Sequence, residues 1–249
     1  MKAPVMVLHA PGTNRDREVA RAFELAGAVA TIATMSQLTQ DPSPIAAARI
    51  LVLPGGFSYG DDLGAGRVWA LQLAAGTPIG DAVLAHLAAG RTLLGICNGF
   101  QALVKAGFLP GAPVAAGGAT LTRNAHGRFE CRWVTLAPNP RSPAPFIRAL
   151  REPIRCPIAH GEGRLVFADD AARAAAREAG LGAFVYDENP NGSDDDLAGM
   201  TNAQGTVLGL MPHPEDHVVP HQHPDHHRGA RDGSGLPLFR AIVAHANDT

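Results

Sequence analysis

At 249 residues, 46% of them hydrophobic, the chain can bury one sizeable core. Its net charge of -2 and pI near 6.6 leave no basic surface of the kind that binds nucleic acid or an anionic membrane. An odd set of three cysteines (Cys97, Cys131, Cys156) excludes a full disulfide framework and reads as thiols in a reducing cytosol.

The N-terminal apolar run Pro4–Ala10 is too short for a secretory signal and reads as a first strand. Gly12-Thr13-Asn14 is turn and cap chemistry, and Asp16–Ala26 has helical spacing that stops at Gly27. Ala28–Ala33 and Ala48–Leu53 are further strands, the second ending at Pro54-Gly55-Gly56. Val68–Ala89 is helical with a break near Gly76-Thr77-Pro78, Arg91–Ile96 is a fourth strand, and Phe100–Ala106 is a helix stopped by Gly107. Apolar, non-alternating strands between helices predict an α/β fold with an open, mostly parallel sheet covered on both faces.

The second half changes character. Ala119–Leu136 reads as an antiparallel hairpin. Arg164–Ala168, Ala183–Tyr186 and Leu197–Met211 read as strands, Ala171–Ala179 as a helix and Pro237–Ala246 as a closing helix. His217–Gly235, polar and broken by prolines, reads as a surface loop. No stretch approaches the roughly 18 apolar residues of a membrane span, no repeat is present and no linker divides the chain. A single domain over 1–249 in a cytoplasmic protein is expected.

Three stretches carry chemistry. Gly95-Ile-Cys97-Asn-Gly99 has the spacing of a nucleophile elbow, in which a sharp strand-to-helix turn lifts the reactive side chain above the sheet. The helix N-terminus there favours thiolate, and the Asn98 amide can face a developing oxyanion. The competing reading is a buried structural cysteine. Pro212-His213-Pro214-Glu215 follows an apolar strand, and if extended it puts His213 and Glu215 on one side, the carboxylate orienting the imidazole. Gly55 and Gly56 end another strand and let backbone amides approach a ligand, Gly56 as a second oxyanion donor; a plain tight turn would use the same glycines.

The motifs PGGFSYGDD (54–62), GICNGFQ (95–101) and MPHPE (211–215) together resemble those of class I glutamine amidotransferases. RFECRWV (128–134), PIAHGEG (157–163), NPNGS (189–193) and the run 197–215 extend the resemblance to the glutaminase-subunit family of phosphoribosylformylglycinamidine synthase, over nearly the whole chain. The resemblance implies a flavodoxin-like core and a Cys97–His213–Glu215 triad. It also implies oxyanion amides at Gly56 and Asn98, and a substrate site at Gly55, Gly56, Asn98 and Gln101 flanked by Asn124 and Phe129. It further implies L-glutamine as substrate and no metal or cofactor in this chain. A separate synthetase subunit would use ATP and Mg, with a small bridging subunit, to turn formylglycinamide ribonucleotide into formylglycinamidine ribonucleotide in IMP synthesis.

The chain departs from the family pattern in three places. Arg15 follows Asn14 where a cysteine is usual nearby, LGAGRVWA follows FSYGDD, and the His-rich loop is long. His160-Gly-Glu162 is a second acid–base pairing to weigh, and His217, His221, His223, His226 and His227 a zinc site to weigh, although no cysteine joins them. Two other functions stay open: a cysteine hydrolase of the intracellular peptidase or chaperone type, and a binding module with a vestigial triad.

Overall fold

The computed structural model describes residues 2–230 and 233–248. Its strands are β1 (Pro4–His9), β2 (Val29–Thr34), β3 (Ile50–Leu53), β4 (Thr92–Ile96), β5 (Ala119–Thr122), β6 (Glu130–Pro138), β7 (Ile154–His160), β8 (Arg164–Phe167), β9 (Gly182–Tyr186), β10 (Leu197–Thr201) and β11 (Val207–Leu210). The helices are α1 (Asp16–Leu25), α2 (Met35–Gln40), α3 (Arg67–Gln72), α4 (Pro78–Ala88), α5 (Asn98–Lys105), α6 (Pro145–Arg148), α7 (Asp170–Glu178) and α8 (Leu236–Asp248). Short 3-10 turns complete the chain, among them Ser58–Asp61, Pro214–His217 and Pro220–Gln222.

One mixed sheet runs β2-β1-β3-β4-β11-β10-β9-β6-β7. It is parallel from β2 to β11 and antiparallel from there to β7. The parallel strands β3, β4 and β11 are buried at every position, as runs that are apolar but for Thr92 and covered on two faces must be. Helical crossovers, as parallel strands require, send β1–α1–β2 one way along the sheet and the path to β3 and β4 the other way. Two helical layers result: α1 packs on α8 and α8 on α6, while α2 packs on α4 and α3 on α5. Trp69, Phe23, Phe100 and Phe239 are fully buried between helices and sheet.

The α/β architecture and the break between α3 and α4 follow the expected pattern. The antiparallel extension is present, but 119–136 is not a hairpin. β5 pairs with β8 in a separate two-stranded sheet, while β6 joins the main sheet between β7 and β9. At 123–129 a turn closes from Gly127 N to the Asn124 carbonyl, but the Asn124 amide and side chain are tied to Gly161 and His160, and the two strands go to different sheets. Leu197–Met211 is two strands around the turn Asn202–Gly205, and β7, with its clean alternation of buried and half-buried residues, was not expected as a strand.

The His-rich segment is not a plain surface loop. His217 and His223 are buried, and both rings lie against Trp133. Arg231 and Asp232 of that segment lie outside the described residues.

His86 on α4 is 2% exposed and donates from Nε2 to the Thr92 carbonyl at 3.0 Å. Burial pushes its pKa down to about 4, with Arg91 adding to the effect. An unfolded histidine titrates near 6.5, so below that pH the unfolded chain binds a proton that the folded chain refuses. Stability is therefore full above 6.5 and declines towards pH 4. At pH 5 this group costs about 2 kcal/mol in urea unfolding relative to pH 7.5, and His86→Leu flattens that part of the profile.

Candidate active site

Three parallel strands end at one level. β3 and β4 pair Leu53 with Gly95, and β4 and β11 pair Ile96 with Leu210. The next residues of each chain therefore emerge at one edge: Gly55-Gly56, Cys97, and Met211-Pro212-His213. Ligand sites of open α/β sheets lie along this carboxyl edge.

Cys97 makes the turn from β4 into α5 with φ 50° and ψ -107°, a conformation that costs a non-glycine residue energy. Its neighbours must be glycine for reasons of space. A Cβ on Gly99 would lie 1.9 Å from the Leu53 carbonyl oxygen, and one on Gly95 2.7 Å from Leu103 Cδ1. The elbow is thus wedged between β3 and its own helix. The turn holds the thiol at the sheet rim, 6% exposed, with Sγ 3.8 Å from the Ala159 carbonyl oxygen.

His213 and Glu215 come together, though not on an extended segment. Pro214 starts a 3-10 turn over Pro214–His217, and that turn swings the carboxylate back. His213 Nδ1 donates to Glu215 Oε1 at 2.7 Å, with the two side chains 6% and 0% exposed. The other ring nitrogen is left for the neighbouring Cys97 thiol, which helps to favour the charged ring. Burial alone lowers the imidazole pKa, but the charges of Glu215 and Cys97 outweigh it and raise the pKa well above the ordinary value. The ring is poised as imidazolium, because a buried carboxylate lies against it.

The cleft beside Cys97 has a volume of about 210 Å³ and is lined by Gly56, Gln101, Phe129, Ala159, His160 and Glu162 among others. Neither the Gly56 nor the Asn98 amide has an acceptor among the described residues. The Asn98 side chain turns away, accepting from Ser58 N at 3.0 Å and donating to Asp61 Oδ1 at 3.1 Å and to Gln101 Oε1 at 3.0 Å. Gln101 Nε2 donates to the Glu162 carbonyl at 2.7 Å. Phe129 is on the cleft wall, whereas Asn124 stands behind it, donating to the His160 and Arg128 carbonyls. Asp61 was missed in the sequence. It holds the elbow helix to the loop after β3, with a left-handed φ of 54°.

His160 and Glu162 do not form an acid–base pair. His160 Nδ1 bonds Asn124 Oδ1 at 3.1 Å, and burial with His213 nearby pushes its pKa down to about 4, so the ring is neutral at pH 7. Among the described residues the only cluster with metal-ligand spacing is His213, Glu215 and Asp216, in which His213 Nδ1 pairs with Glu215 Oε1 and Asp216 Oδ2 with Arg15. Among the described residues the histidines at 217–227 form no such cluster.

The chain matches the CobB/CobQ-like glutamine amidotransferase domain over residues 2–246. It belongs to that family. It is 42% identical over 269 residues to the phosphoribosylformylglycinamidine synthase subunit PurQ of Treponema denticola, covering 98% of each chain. It is 42% identical over 245 residues to that of Cereibacter sphaeroides, covering 98% of this chain and 97% of the other. The PurLQS structure from Thermotoga maritima superposes with a TM-score of 0.77 at 33% identity, covering 98% of this chain and 99% of that one. The chain is therefore a member of the PurQ group of glutamine amidotransferases. These matches do not favour a peptidase or chaperone-type hydrolase.

Gly55 keeps the thiol and imidazole adjacent. A Cβ there would sit 2.7 Å from His213 Cε1 and 3.5 Å from Cys97 Cβ. Its φ is not positive, so alanine adds bulk without backbone strain. Gly55→Ala is expected to slow iodoacetamide labelling of Cys97 by roughly tenfold, an activation cost near 1.4 kcal/mol, while unfolding shifts little. Peptide mass spectrometry of Cys97 against the exposed Cys131 measures it.

Proposed function

We propose that this chain is the glutaminase subunit of phosphoribosylformylglycinamidine synthase, built as one glutamine amidotransferase unit over 1–249. The observation that carries the reading is the buried Glu215–His213 pair set against a strained thiol at the mouth of a cleft. Its substrate is L-glutamine, and its products are glutamate and ammonia.

Cys97 thiolate attacks the side-chain carbonyl carbon of glutamine, and the carbonyl π electrons move to oxygen. The amides of Gly56 and Asn98 receive that oxyanion; losing one such donor typically costs about 3–4 kcal/mol of barrier. His213, as imidazolium, gives its proton to the leaving nitrogen, so ammonia departs and a γ-glutamyl thioester remains. The neutral imidazole then takes a proton from water as that water attacks the thioester. Collapse of the second tetrahedral intermediate expels the thiolate and frees glutamate. Glu215 holds the ring's tautomer through both halves and balances its charge. Gly55 leaves room for the ring beside the thiol, and Gln101 lines the substrate cleft.

Free ammonia in water at pH 7 becomes ammonium and stops being a nucleophile, so the product has to be handed on. The proposed recipients are a synthetase subunit and a small bridging subunit, with ATP and Mg used on the synthetase to activate formylglycinamide ribonucleotide. The chemistry of this chain needs no cofactor. No described helix is long and apolar enough to cross a membrane, and the cytoplasm is the proposed compartment.

In the assembled complex, Cys97→Ala is expected to lower glutamine-dependent amidine formation by at least about a thousandfold. Formation driven by added ammonium salts is expected to persist. Full glutamine-dependent activity in the variant would contradict the reading.

A further inference from the structure

We propose that Arg15 is a positioning residue: with Asp216 it forms a brace that ties the loop carrying His213 and Glu215 to the loop carrying the oxyanion amide of Gly56. The inference rests on the glutaminase reading for its kinetic effect, and on the coordinates alone for the brace.

The turn between β1 and α1 grips the loop after β3 through its backbone. Phe57 N donates to the Gly12 carbonyl at 3.0 Å, Asn14 N to the Gly55 carbonyl at 3.2 Å and Tyr59 N to the Pro11 carbonyl at 2.7 Å, and Thr13 bridges Gly56. The two loops touch so closely that side chains are excluded. A Cβ on Gly12 would meet the Phe57 carbonyl oxygen at 2.1 Å, and one on Gly56 the Gly12 carbonyl oxygen at 2.6 Å. The Gly56 amide therefore cannot move without the turn moving too.

The next residue of that turn reaches the other loop. Arg15 Nε lies 3.2 Å from Asp216 Oδ2. Asp216 follows Glu215 directly, and its amide donates to the His213 carbonyl at 3.2 Å, closing the 3-10 turn that folds Glu215 onto the ring. The stretch from Gly12 to Arg15 thus holds one half of the site by backbone and the other half by charge.

The charge has a specific task. Glu215, His213 and Glu18 also face Asp216, and burial with the Glu215 carboxylate pushes the Asp216 pKa up to about 6. Arg15 and the imidazolium work the other way. Without the guanidinium, Asp216 takes a proton or turns out to solvent, and the turn bearing Glu215 loses its anchor. Arg15 itself is not part of the cleft lining, so its removal leaves substrate contacts intact. Because the pair is part-exposed, its contribution to global stability is small. Its effect falls on geometry.

The test measures glutamine hydrolysis in the assembled complex, together with iodoacetamide labelling at Cys97 in the same preparations. Arg15→Ala is expected to lower kcat by about five- to tenfold with KM for glutamine within about twofold, and to slow Cys97 labelling similarly. Arg15→Lys recovers most of the loss, and the charge-swapped double variant Arg15→Asp with Asp216→Arg exceeds Arg15→Asp alone. Unchanged kcat and labelling in Arg15→Ala, or no gain on swapping the charges, would overturn the brace. A wild-type complex that does not hydrolyse glutamine would sink the functional reading instead, and the labelling rates would still decide the brace.

Discussion

The site depends on a register. β3, β4 and β11 are hydrogen-bonded neighbours whose last residues stand level, Leu53 against Gly95 and Ile96 against Leu210. A shift of one residue in either ladder would carry the Gly55–Gly56 loop or the histidine roughly 3.3 Å along the sheet and turn alternate side chains to the wrong face. The register is held by burial. Each of these strands is apolar and covered on both sides, so a slip exposes nothing useful and buries unmatched backbone. The position of the thiol relative to the imidazole is thus a property of the core, and loops only add the last few ångströms.

Glycine decides those last ångströms. Gly55, Gly95, Gly99 and Gly209 each stand where a Cβ would enter another group: the His213 ring, Leu103, the Leu53 carbonyl and the Phe100 ring. The last three let helix α5 lie directly on the strands that precede and flank it. The strained φ of Cys97 persists because this packing over-determines it. Electrostatics then act on a fixed frame. Glu215 is buried completely, so its charge is weakly screened, and the imidazole beside it is held in its cationic form.

Much of this was legible in the sequence, for identifiable reasons. The parallel half reads as apolar runs broken by glycine, because burial on two faces admits little else. The elbow and the Pro-His-Pro-Glu stretch are visible because their geometry demands particular residues at fixed spacing. The antiparallel half was harder. Ala119–Thr122 and Glu130–Pro138 look like hairpin partners by proximity, yet Asn124 also bonds to His160, Gly161 and Gly163 at the end of β7, and the two strands go to different sheets. Pairing over long separations leaves no local mark. The same holds for His217 and His223, whose polar surroundings hide that they pack on Trp133. It holds too for Arg15 and Asp216, about two hundred residues apart in sequence and joined only by the fold.

The account stands or falls on whether the thiol at the sheet rim is the activated one. Of the three cysteines, Cys131 is exposed, Cys156 is buried in β7, and Cys97 is nearly buried but sits beside an imidazolium. Accessibility alone would favour Cys131; activation favours Cys97. The direct measurement is to treat the protein with a glutamine-mimicking electrophile and map the modified residue by mass spectrometry. A single γ-glutamyl-type adduct on Cys97, suppressed by excess glutamine, is the predicted result. Modification confined to Cys131, or an unmodified Cys97 after prolonged exposure, would contradict it.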